Sequence, residues 1–139
     1  MDASFVWPVR VYFEDTDAGG VVYYANYLKY YERTRSEWLR TMGISQQQLA
    51  QDRKILFVVR KVTADYHRSA VLDDALTITL DVARIKGASI EFDQKVIRDS
   101  DGALCSSCRV TIACVDGNRM RPTAFPADIL EKFKATSGS

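Results

Sequence analysis

One long amphipathic segment near the start of the chain, followed by four strand-like segments, most limits what this sequence can fold into. From Tyr27 to Met42, apolar residues recur at helical spacing, and Gly43 is placed to end the helix. The later segments alternate apolar and polar residues, most clearly from Leu76 to Val82, as half-buried antiparallel strands do. Because a sheet of this kind has to cover its apolar face, the helix is the expected cover. The pattern predicts an α+β fold with an antiparallel sheet of about five strands.

Turn and breaker residues set the bounds of the expected elements. We expect strands over Trp7–Phe13, Leu56–Tyr66, Leu76–Val82, Ser89–Arg98 and Leu104–Val115. The long helix begins at Tyr24, at Ala25 or behind Asn26 as its N-cap, a second helix runs from Ser45 to about Gln51, and a last one runs from Pro126 to Lys134. Without a linker or a repeat, the 139 residues indicate one domain over 1–134, with 135–139 as a flexible tail.

Alternation along the strands predicts which side chains share a face. In the second strand, one face is expected to carry Val58, Arg60, Val62, Ala64 and Tyr66. Cys105 and Cys108 form an isolated CxxC at odd spacing within a strand, so their side chains should point to opposite faces. That geometry suits neither a metal site nor a redox pair. We expect both, with Cys114, to be reduced, buried and structural.

Composition and charge exclude several classes of function. A net charge of +1 gives no general attraction to nucleic acid or membrane. His67 is the only histidine and no nucleophile-elbow motif accompanies it, which argues against a zinc site and a Ser/His/Asp triad. The first residues lack the features of a signal peptide, and no apolar run reaches the ~18 residues that span a bilayer. We therefore expect a cytoplasmic protein that needs no metal.

A run of acids and glycines joins the first strand to the long helix. Glu14, Asp15 and Asp17 fall within four positions, and Gly19 and Gly20 follow closely. Carboxylates there can act on a reacting carbon or on a water, and glycine lets backbone N–H groups approach. A helix N-terminus offers free donors where negative charge develops. The same residues also suit an Asx-type turn that caps the helix with its acids solvated.

The same run carries a resemblance to a known family. Tyr12–Tyr23, together with Ala25–Tyr27, resembles the signature of the hotdog-fold acyl-CoA thioesterases, and within them the 4-hydroxybenzoyl-CoA thioesterase / YbgC group. The resemblance continues through Phe57–Lys61, Leu72–Asp74 and Cys114–Asp116, and so covers nearly the whole chain.

The resemblance implies a fold, an assembly and a setting. Hotdog proteins wrap an antiparallel sheet around a long central helix, typically dimerise into one continuous sheet, and build the site at the interface. We therefore expect at least a homodimer. Similar proteins often pair two dimers into a homotetramer, and we expect the same assembly here. YbgC members accompany the Tol-Pal system. Acyl-CoA is the implied substrate, and no cofactor is implied.

The resemblance also assigns the chemistry. By its place in the motif, Asp17 matches the catalytic aspartate of the family, which acts on the thioester either as nucleophile or as general base. The expected oxyanion donors are the backbone N–H groups of Tyr23, Tyr24 and Ala25, above all that of Tyr24. The implied products are the free acid and CoA.

Three groups of residues are expected to bind the substrate. Beside the thioester lie Gly20, Val21, Val22, Tyr23 and Asn26. The apolar acyl pocket is expected to use Phe57, Val58, Val59, Tyr24, Tyr27 and Tyr31. Candidates for the phosphates and the pantetheine arm are Arg60, Lys61, Arg84, Lys86, Ser89, Arg119 and Arg121.

One position departs from part of the family. YbgC proteins of the enteric type usually carry histidine where this chain has Tyr24, whereas the aryl-CoA thioesterase branch has tyrosine, so the acyl preference stays open. A hotdog dehydratase would need a catalytic histidine, and His67 lies outside any matching motif. A module that recruits acyl carrier protein, phospholipid-synthesis enzymes or Tol-Pal partners stays open beside catalysis, since basic surface residues would suit an acidic carrier.

Overall fold

Residues 5–136, which the computed structural model describes, form one antiparallel sheet with α-helices packed against it. The strands are β1 (Phe5–Arg10), β2 (Ile55–Tyr66), β3 (Ala75–Ile85), β4 (Ser89–Arg98), β5 (Leu104–Asp116) and the short β6 (Arg121–Pro122). The helices are α1 (Tyr24–Thr41), α2 (Gln46–Arg53) and α3 (Ala127–Thr136). The predicted α+β architecture is confirmed. Sequence pattern did not indicate β6, because two residues carry no period.

The sheet runs in the order β1-β3-β4-β5-β2, with β6 beside the end of β5. β1 forms one edge and carries Pro8, which has no N–H to donate to a neighbouring strand. β2 forms the other edge along its 12 residues. No strand within residues 5–136 pairs with the outer side of β2. A long unpaired edge of this kind can accept another strand.

α1 lies against the inner face of the sheet, and its buried side fills the core. Toward its end, Trp38 packs on Phe92 and Phe133 with ring-centroid distances of 5.2 and 5.4 Å. In its first half, three buried tyrosines join a cluster with side chains of β1, β3 and β4: Tyr27, Tyr30 and Tyr31. Truncating an aromatic residue in such a core destabilises a protein by about 3–5 kcal/mol. This packing fixes where the first turn of α1 stands. No helix in the described part of the chain is both long and apolar enough to cross a bilayer.

A bulge at Arg60 interrupts β2. Val59 and Lys61 pair with consecutive residues of β5, so Arg60 between them has no partner there. The extra residue shifts the alternation, and Val59 and Val62 therefore both stand opposite core residues of β5. The expectation that one alternation holds along the whole strand is wrong, and it misplaced Val58 and Arg60.

A second bulge, at Cys105 in β5, brings both cysteines of the CxxC pair into one core cluster. Val96 pairs with Ser106, and the next residue of β4 pairs with Leu104, which leaves Cys105 out of register. Cys105 and Cys108 are buried free thiols of the same cluster. The prediction of opposite faces is therefore wrong, whereas the prediction of buried thiols is confirmed. Burial raises the pKa of the Cys108 thiol to about 12, which makes it a poor nucleophile.

Local signals placed two helix ends correctly. The hydroxyl of Ser45 accepts a hydrogen bond from the N–H of Gln48 over 3.2 Å and so caps α2. Gly43 follows α1 at a φ of +74°, a left-handed conformation that favours glycine. Both were predicted from residue type.

The start of α1 matches one of the three alternatives expected for it, and two other bounds differ from expectation. α1 begins at Tyr24, behind Tyr23, so Asn26 lies inside the first turn and is not the N-cap. β1 ends at Arg10, because the chain turns into a single 3₁₀ turn over Phe13–Asp15. α3 continues to Thr136, two residues into the expected tail, and 137–139 lie outside the described residues.

Candidate active site

The acid and glycine run folds into a small closed loop between β1 and α1. The N–H of Asp17 donates to the carbonyl of Val21 over 2.9 Å, and the N–H of Gly20 donates to the carbonyl of Asp17 over 3.0 Å. Gly20 has a φ of +80°, which a residue with a Cβ adopts only at a cost. Val21 also bridges to Val71, so the loop is fastened to the segment before β3. The glycine therefore serves the turn itself.

Asp17 stands at the tip of this loop, exposed to solvent. One carboxylate oxygen, Oδ1, accepts a hydrogen bond from the N–H of Gly19 over 2.8 Å. No other hydrogen bond reaches this carboxylate within residues 5–136. The Asx-type turn and the chemical role are thus compatible, because one oxygen holds the side chain in place and the other is free to react.

The backbone carbonyl of Asp15 joins the loop to the helix. It accepts a bond from the N–H of Tyr23 over 3.0 Å and another from the side-chain amide of Asn26 over 2.8 Å. The Asp15 carboxylate is also used, since it accepts from the N–H of Tyr12 over 2.9 Å. Asp15 therefore shapes the loop. Asn26, which is buried, orients the loop instead of capping the helix.

The start of α1 presents two free backbone donors. The N–H of Tyr23 is bonded to Asp15, and the N–H of Asn26 donates to the carbonyl of Tyr23 over 2.8 Å. Within the described residues, the N–H groups of Tyr24 and Ala25 have no acceptor. The oxyanion donors expected from the sequence thus narrow from three to two, because the Tyr23 donor is occupied. The helix dipole adds partial positive charge at this point.

Aromatic rings surround these donors. The Tyr24 ring lies 5.7 Å from that of Tyr66, at the end of β2, and Tyr66 lies 5.7 Å from Tyr27. The hydroxyl of Tyr27 accepts from the N–H of Ala70 over 3.0 Å, and burial raises the pKa of this phenol. Tyr24 is 57% exposed, whereas Tyr27 is buried, so only the first is available to a ligand.

A trough leads from these rings along α1. Residues of one helix face form one wall: Tyr24, Leu28, Glu32 and Arg35. Residues of β2 on the inner face form the other: Tyr66, Val62, Val59 and Phe57. Val62 and Val59 are 42% and 52% exposed, which is high for apolar residues opposite a core. The trough is therefore an apolar surface that this single chain does not cover.

A cavity of about 100 Å³ lies at the far end of the trough, between α1, α3 and the sheet. Its walls are mostly aromatic and aliphatic: Trp38, Leu39, Phe57, Val59, Ile90, Phe92, Ile112, Phe125 and Phe133. Four polar residues complete the lining: Glu32, Arg35, Ser36 and Gln46. Of the acyl-pocket residues expected from the sequence, the structure brings Phe57 and Val59 to this cavity. Tyr27 and Tyr31 instead belong to the core.

The basic candidates lie at the other end of the sheet from Asp17. Lys86 lies in the turn between β3 and β4, Ser89 begins β4, and Arg119 and Arg121 follow β5. Asp17 adjoins the opposite ends of those strands, so most of β5 separates the two groups, roughly 30 Å at the rise of a strand. Arg60 lies between them, in the bulge of β2. Within one copy, the structure does not bring these residues to Asp17.

Ser89 is placed differently from the exposed basic groups. Its side chain is buried, and its backbone carbonyl accepts from the N–H of Lys86 over 2.8 Å to close the turn. Lys86, Arg119 and Arg121 are exposed and form no ion pair within residues 5–136. Of these four residues, the three exposed side chains are available to an anion from solvent and Ser89 is not.

Comparison with known proteins identifies a family and close relatives of this chain. The model of the thioesterase-like superfamily matches residues 11–133. Acyl-CoA thioesterase YbgC of Haemophilus influenzae is 45% identical over 133 residues, which cover 96% of this chain and 96% of the relative. Acyl-CoA thioester hydrolase YbgC of Escherichia coli is 46% identical over 130 residues, which cover 94% of this chain and 96% of the relative.

Comparison with solved structures identifies proteins of the same fold. A 1,4-dihydroxy-2-naphthoyl-CoA thioesterase from Synechocystis superposes with a TM-score of 0.87 at 18% identity, covering 99% of this chain and 97% of that one. A probable thioesterase from Bartonella henselae gives a TM-score of 0.82 at 34% identity, covering 89% of this chain and 100% of that one. The hotdog fold expected from the resemblance is confirmed.

Proposed function

The chain belongs to the thioesterase-like superfamily, among the YbgC acyl-CoA thioesterases, and we propose that it hydrolyses acyl-CoA to the free acid and CoA at Asp17. The observation that carries this proposal is the pairing of a held carboxylate with free helix donors. Asp17 has one oxygen fixed by Gly19 and one free, and the N–H groups of Tyr24 and Ala25 have no acceptor among the described residues.

Two routes fit this geometry. In the nucleophilic route, the free oxygen of Asp17 bonds to the thioester carbon, the C–S bond breaks, and CoA leaves as thiolate. Water then cleaves the resulting mixed anhydride. In the general-base route, Asp17 takes a proton from a water whose oxygen attacks the same carbon, and the C–S bond then breaks so that CoA leaves as thiolate. In both, the carbonyl oxygen becomes negative next to the donors of Tyr24 and Ala25. A thiolate is a good leaving group, so no strong general acid is required.

Thiol release from a panel of short-chain, long-chain and aryl acyl-CoAs tests the assignment. Asp17→Asn should lower kcat by about 10²–10⁴-fold with an unchanged melting temperature, because the amide cannot attack or take a proton at neutral pH. Glu14→Gln is the matched control, since Glu14 is an exposed acid of the same run with no hydrogen bond among the described residues. Full activity in Asp17→Asn would refute the role. A burst of CoA ahead of the acid would favour the nucleophilic route.

The free edge of β2 supports a dimer in which two copies pair these edges antiparallel. This edge is 12 residues long, and its bulge lies in the middle, at Arg60. Left unpaired, such an edge is open to nonspecific pairing, and the uncovered trough lies beside it. Antiparallel pairing sets the start of one β2 against the end of the other. Arg119 and Arg121, near the start of β2, would then approach Asp17 of the second copy.

This arrangement gives the basic groups a role in the reaction. CoA carries phosphates, and exposed guanidinium and ammonium groups bind phosphate well. Lys86, Arg119 and Arg121 of one copy would hold the nucleotide while Asp17 of the other acts on the thioester. The same groups would also suit an acidic acyl carrier protein. We therefore propose the thioester of such a carrier as the alternative substrate to acyl-CoA. Assembly of two such dimers into a tetramer, a cytoplasmic location and an association with the Tol-Pal system stay predictions.

A further inference from the structure

Arg35 is a half-buried cation without a counter-charge. It lies on α1 at the wall of the cavity, and no carboxylate within residues 5–136 forms an ion pair with it. Its one hydrogen bond runs from Nη1 to Oε1 of Gln94 over 3.0 Å. A guanidinium has five N–H donors, so most of them remain available.

Gln94 holds Arg35 in this position. It is fully buried on β4, at an inward position between Phe92 and Val96 where the strand is otherwise apolar. Its amide nitrogen donates to the carbonyl of Tyr31 over 3.2 Å, which turns its oxygen toward Arg35. A buried glutamine with both ends engaged is a fixed support. The pair is therefore built into the core and is not a surface contact.

The acid Glu32 attracts this charge through space but forms no ion pair with it. Glu32 lies one turn away, but its carboxylate accepts from the hydroxyl of Ser36 over 2.7 Å, and Ser36 in turn accepts from the amide of Gln46 over 3.2 Å. Burial lowers the pKa of the Arg35 guanidinium, and arginine nevertheless stays charged. A desolvated cation is costly unless an anion meets it. No carboxylate of residues 5–136 pairs with Arg35, so an anion that does so comes from outside them.

The cavity beside Arg35 defines the rest of the ligand. Trp38, Phe57, Phe92 and Phe133 give it aromatic walls, which suit a compact apolar body or a hydrocarbon chain. We propose that Arg35, supported by Gln94, binds the carboxylate of a ligand whose apolar part occupies the cavity and the trough. A carboxylate matches the guanidinium fork, which can bind it through two parallel hydrogen bonds.

Two sources can supply this carboxylate. The first is a free carboxylic acid, the class of product that thioester hydrolysis releases. The second is the far end of an acyl group that is itself a dicarboxylic half-thioester. Tyr24 and Arg35 lie on the same face of α1, roughly 16 Å apart along its axis, so one chain in the trough would reach both. The second source rests on the function proposed for Asp17, whereas binding of a free acid does not.

A fluorescence titration with phenylacetate tests the site without any hydrolysis. The chain has two tryptophans, and Trp7→Phe leaves Trp38 in the cavity wall as the reporter. Phenylacetate should change the Trp38 emission, and phenylacetamide, which is neutral and of the same shape, should bind at least about tenfold more weakly. Asp17→Asn should bind phenylacetate unchanged, which separates this site from the proposed function.

Variants of α1 identify the residue. Arg35→Met keeps the length and removes the charge, and it should reduce phenylacetate affinity at least about tenfold. Arg33→Met is the matched control, since Arg33 is exposed on the same helix, and it should have no effect. Glu32→Gln should strengthen binding by removing a nearby negative charge. Arg35→Met leaves the buried Oε1 of Gln94 without its donor, so it should melt a few degrees below the wild type while keeping the fold.

These results decide whether the proposal holds and which molecule supplies the carboxylate. A higher kcat/KM for decanedioyl-CoA than for decanoyl-CoA, lost in Arg35→Met, assigns the acyl terminus as the source. Charge-dependent phenylacetate binding without that preference assigns the free acid. The proposal is overturned if phenylacetate does not bind or if Arg35→Met binds it equally.

Discussion

The side-chain amide of Asn26 donates to the backbone carbonyl of Asp15 over 2.8 Å, and this bond ties the first turn of α1 to the turn that precedes Asp17. The same carbonyl accepts from the N–H of Tyr23 over 3.0 Å. One oxygen therefore links the loop that carries the Asp17 carboxylate to the helix start that carries the free donors. Such positioning matters because small errors in the placement of reacting groups lower rates strongly.

Asn26→Ala should weaken this link without touching the substrate. We expect kcat to fall about tenfold or more with little change in KM, and the free energy of unfolding to fall by about 0.5–1.5 kcal/mol for the lost bond. Steady-state kinetics and chemical denaturation measure the two effects. Asn118→Ala, at an exposed asparagine after β5, is the control and should change neither quantity. An unchanged kcat in Asn26→Ala would show that the loop holds its geometry without the helix.

The backbone donor of Tyr24 can be removed by a substitution that the helix tolerates. Tyr24 is the first residue of α1, where proline is favoured, and Tyr23 before it is extended at φ −62° and ψ 128°, as a residue before proline should be. Tyr24→Pro should lower kcat about 10²–10³-fold relative to Tyr24→Ala, which keeps the N–H. Equal rates in the two variants would assign the oxyanion to Ala25 or elsewhere. Circular dichroism checks that both variants keep the helix content of the wild type.

Mixing two defective variants tests whether the site spans two copies. Asp17→Asn lacks the carboxylate, and a double variant, Arg119→Ala with Arg121→Ala, lacks the basic groups. If each site combines Asp17 of one copy with the arginines of another, mixed dimers contain one complete site and activity should return after the subunits exchange. If both parts come from the same copy, no mixture exceeds the sum of its components. Thiol release before and after exchange distinguishes these results.

The pair of Arg98 and Asp101 at the turn between β4 and β5 should set part of the acid sensitivity. A bidentate contact, with distances of 2.9 and 2.7 Å, holds the pKa of Asp101 at about 2. Because this lies below the ordinary value of 3.8, the folded state is favoured where the carboxylate is ionised, and the advantage disappears as the pH falls to about 2. The contribution is modest, since the side chain of Asp101 is half exposed.

Melting temperatures between pH 6 and pH 2 measure this contribution. Asp101→Asn should melt below the wild type at pH 6, and the difference should shrink to nothing near pH 2. Arg98→Met should show the same pH-dependent part on top of a pH-independent loss, because Nη1 of Arg98 also donates to the carbonyl of Ser69 over 3.0 Å. A difference that stays constant with pH would assign the loss to the turn geometry instead of the charge.

Local residue chemistry made much of the fold predictable. Ser45 and Gly43 mark helix ends by their own conformational preferences, and the period of two from Leu76 to Val82 reports a strand with one buried face. These signals depend on a few neighbouring residues. The bulges at Arg60 and Cys105 cannot be predicted from neighbouring residues, because a bulge is defined against the partner strand.

The candidate site was predictable as a location and less so as a set of contacts. Asp17 and the helix start follow from the motif, but that the N–H of Tyr23 is occupied follows only from how the loop closes. Arg35 and Gln94 were missed, although a signal was present. Glutamine at an inward position of the alternating strand Ser89–Arg98 is unusual enough to predict a buried polar partner.

The unpaired residue in the middle of β2 also has an evolutionary meaning. If Arg60 were deleted, the flanking residues would alternate regularly, and Val59 and Val62 would keep their sides of the sheet. The strand can therefore lose one residue at its centre without moving the side chains of either half to the other face of the sheet. A homologue that is one residue shorter here would superpose on both halves, and a gap in its alignment would mark the midpoint of the exposed edge.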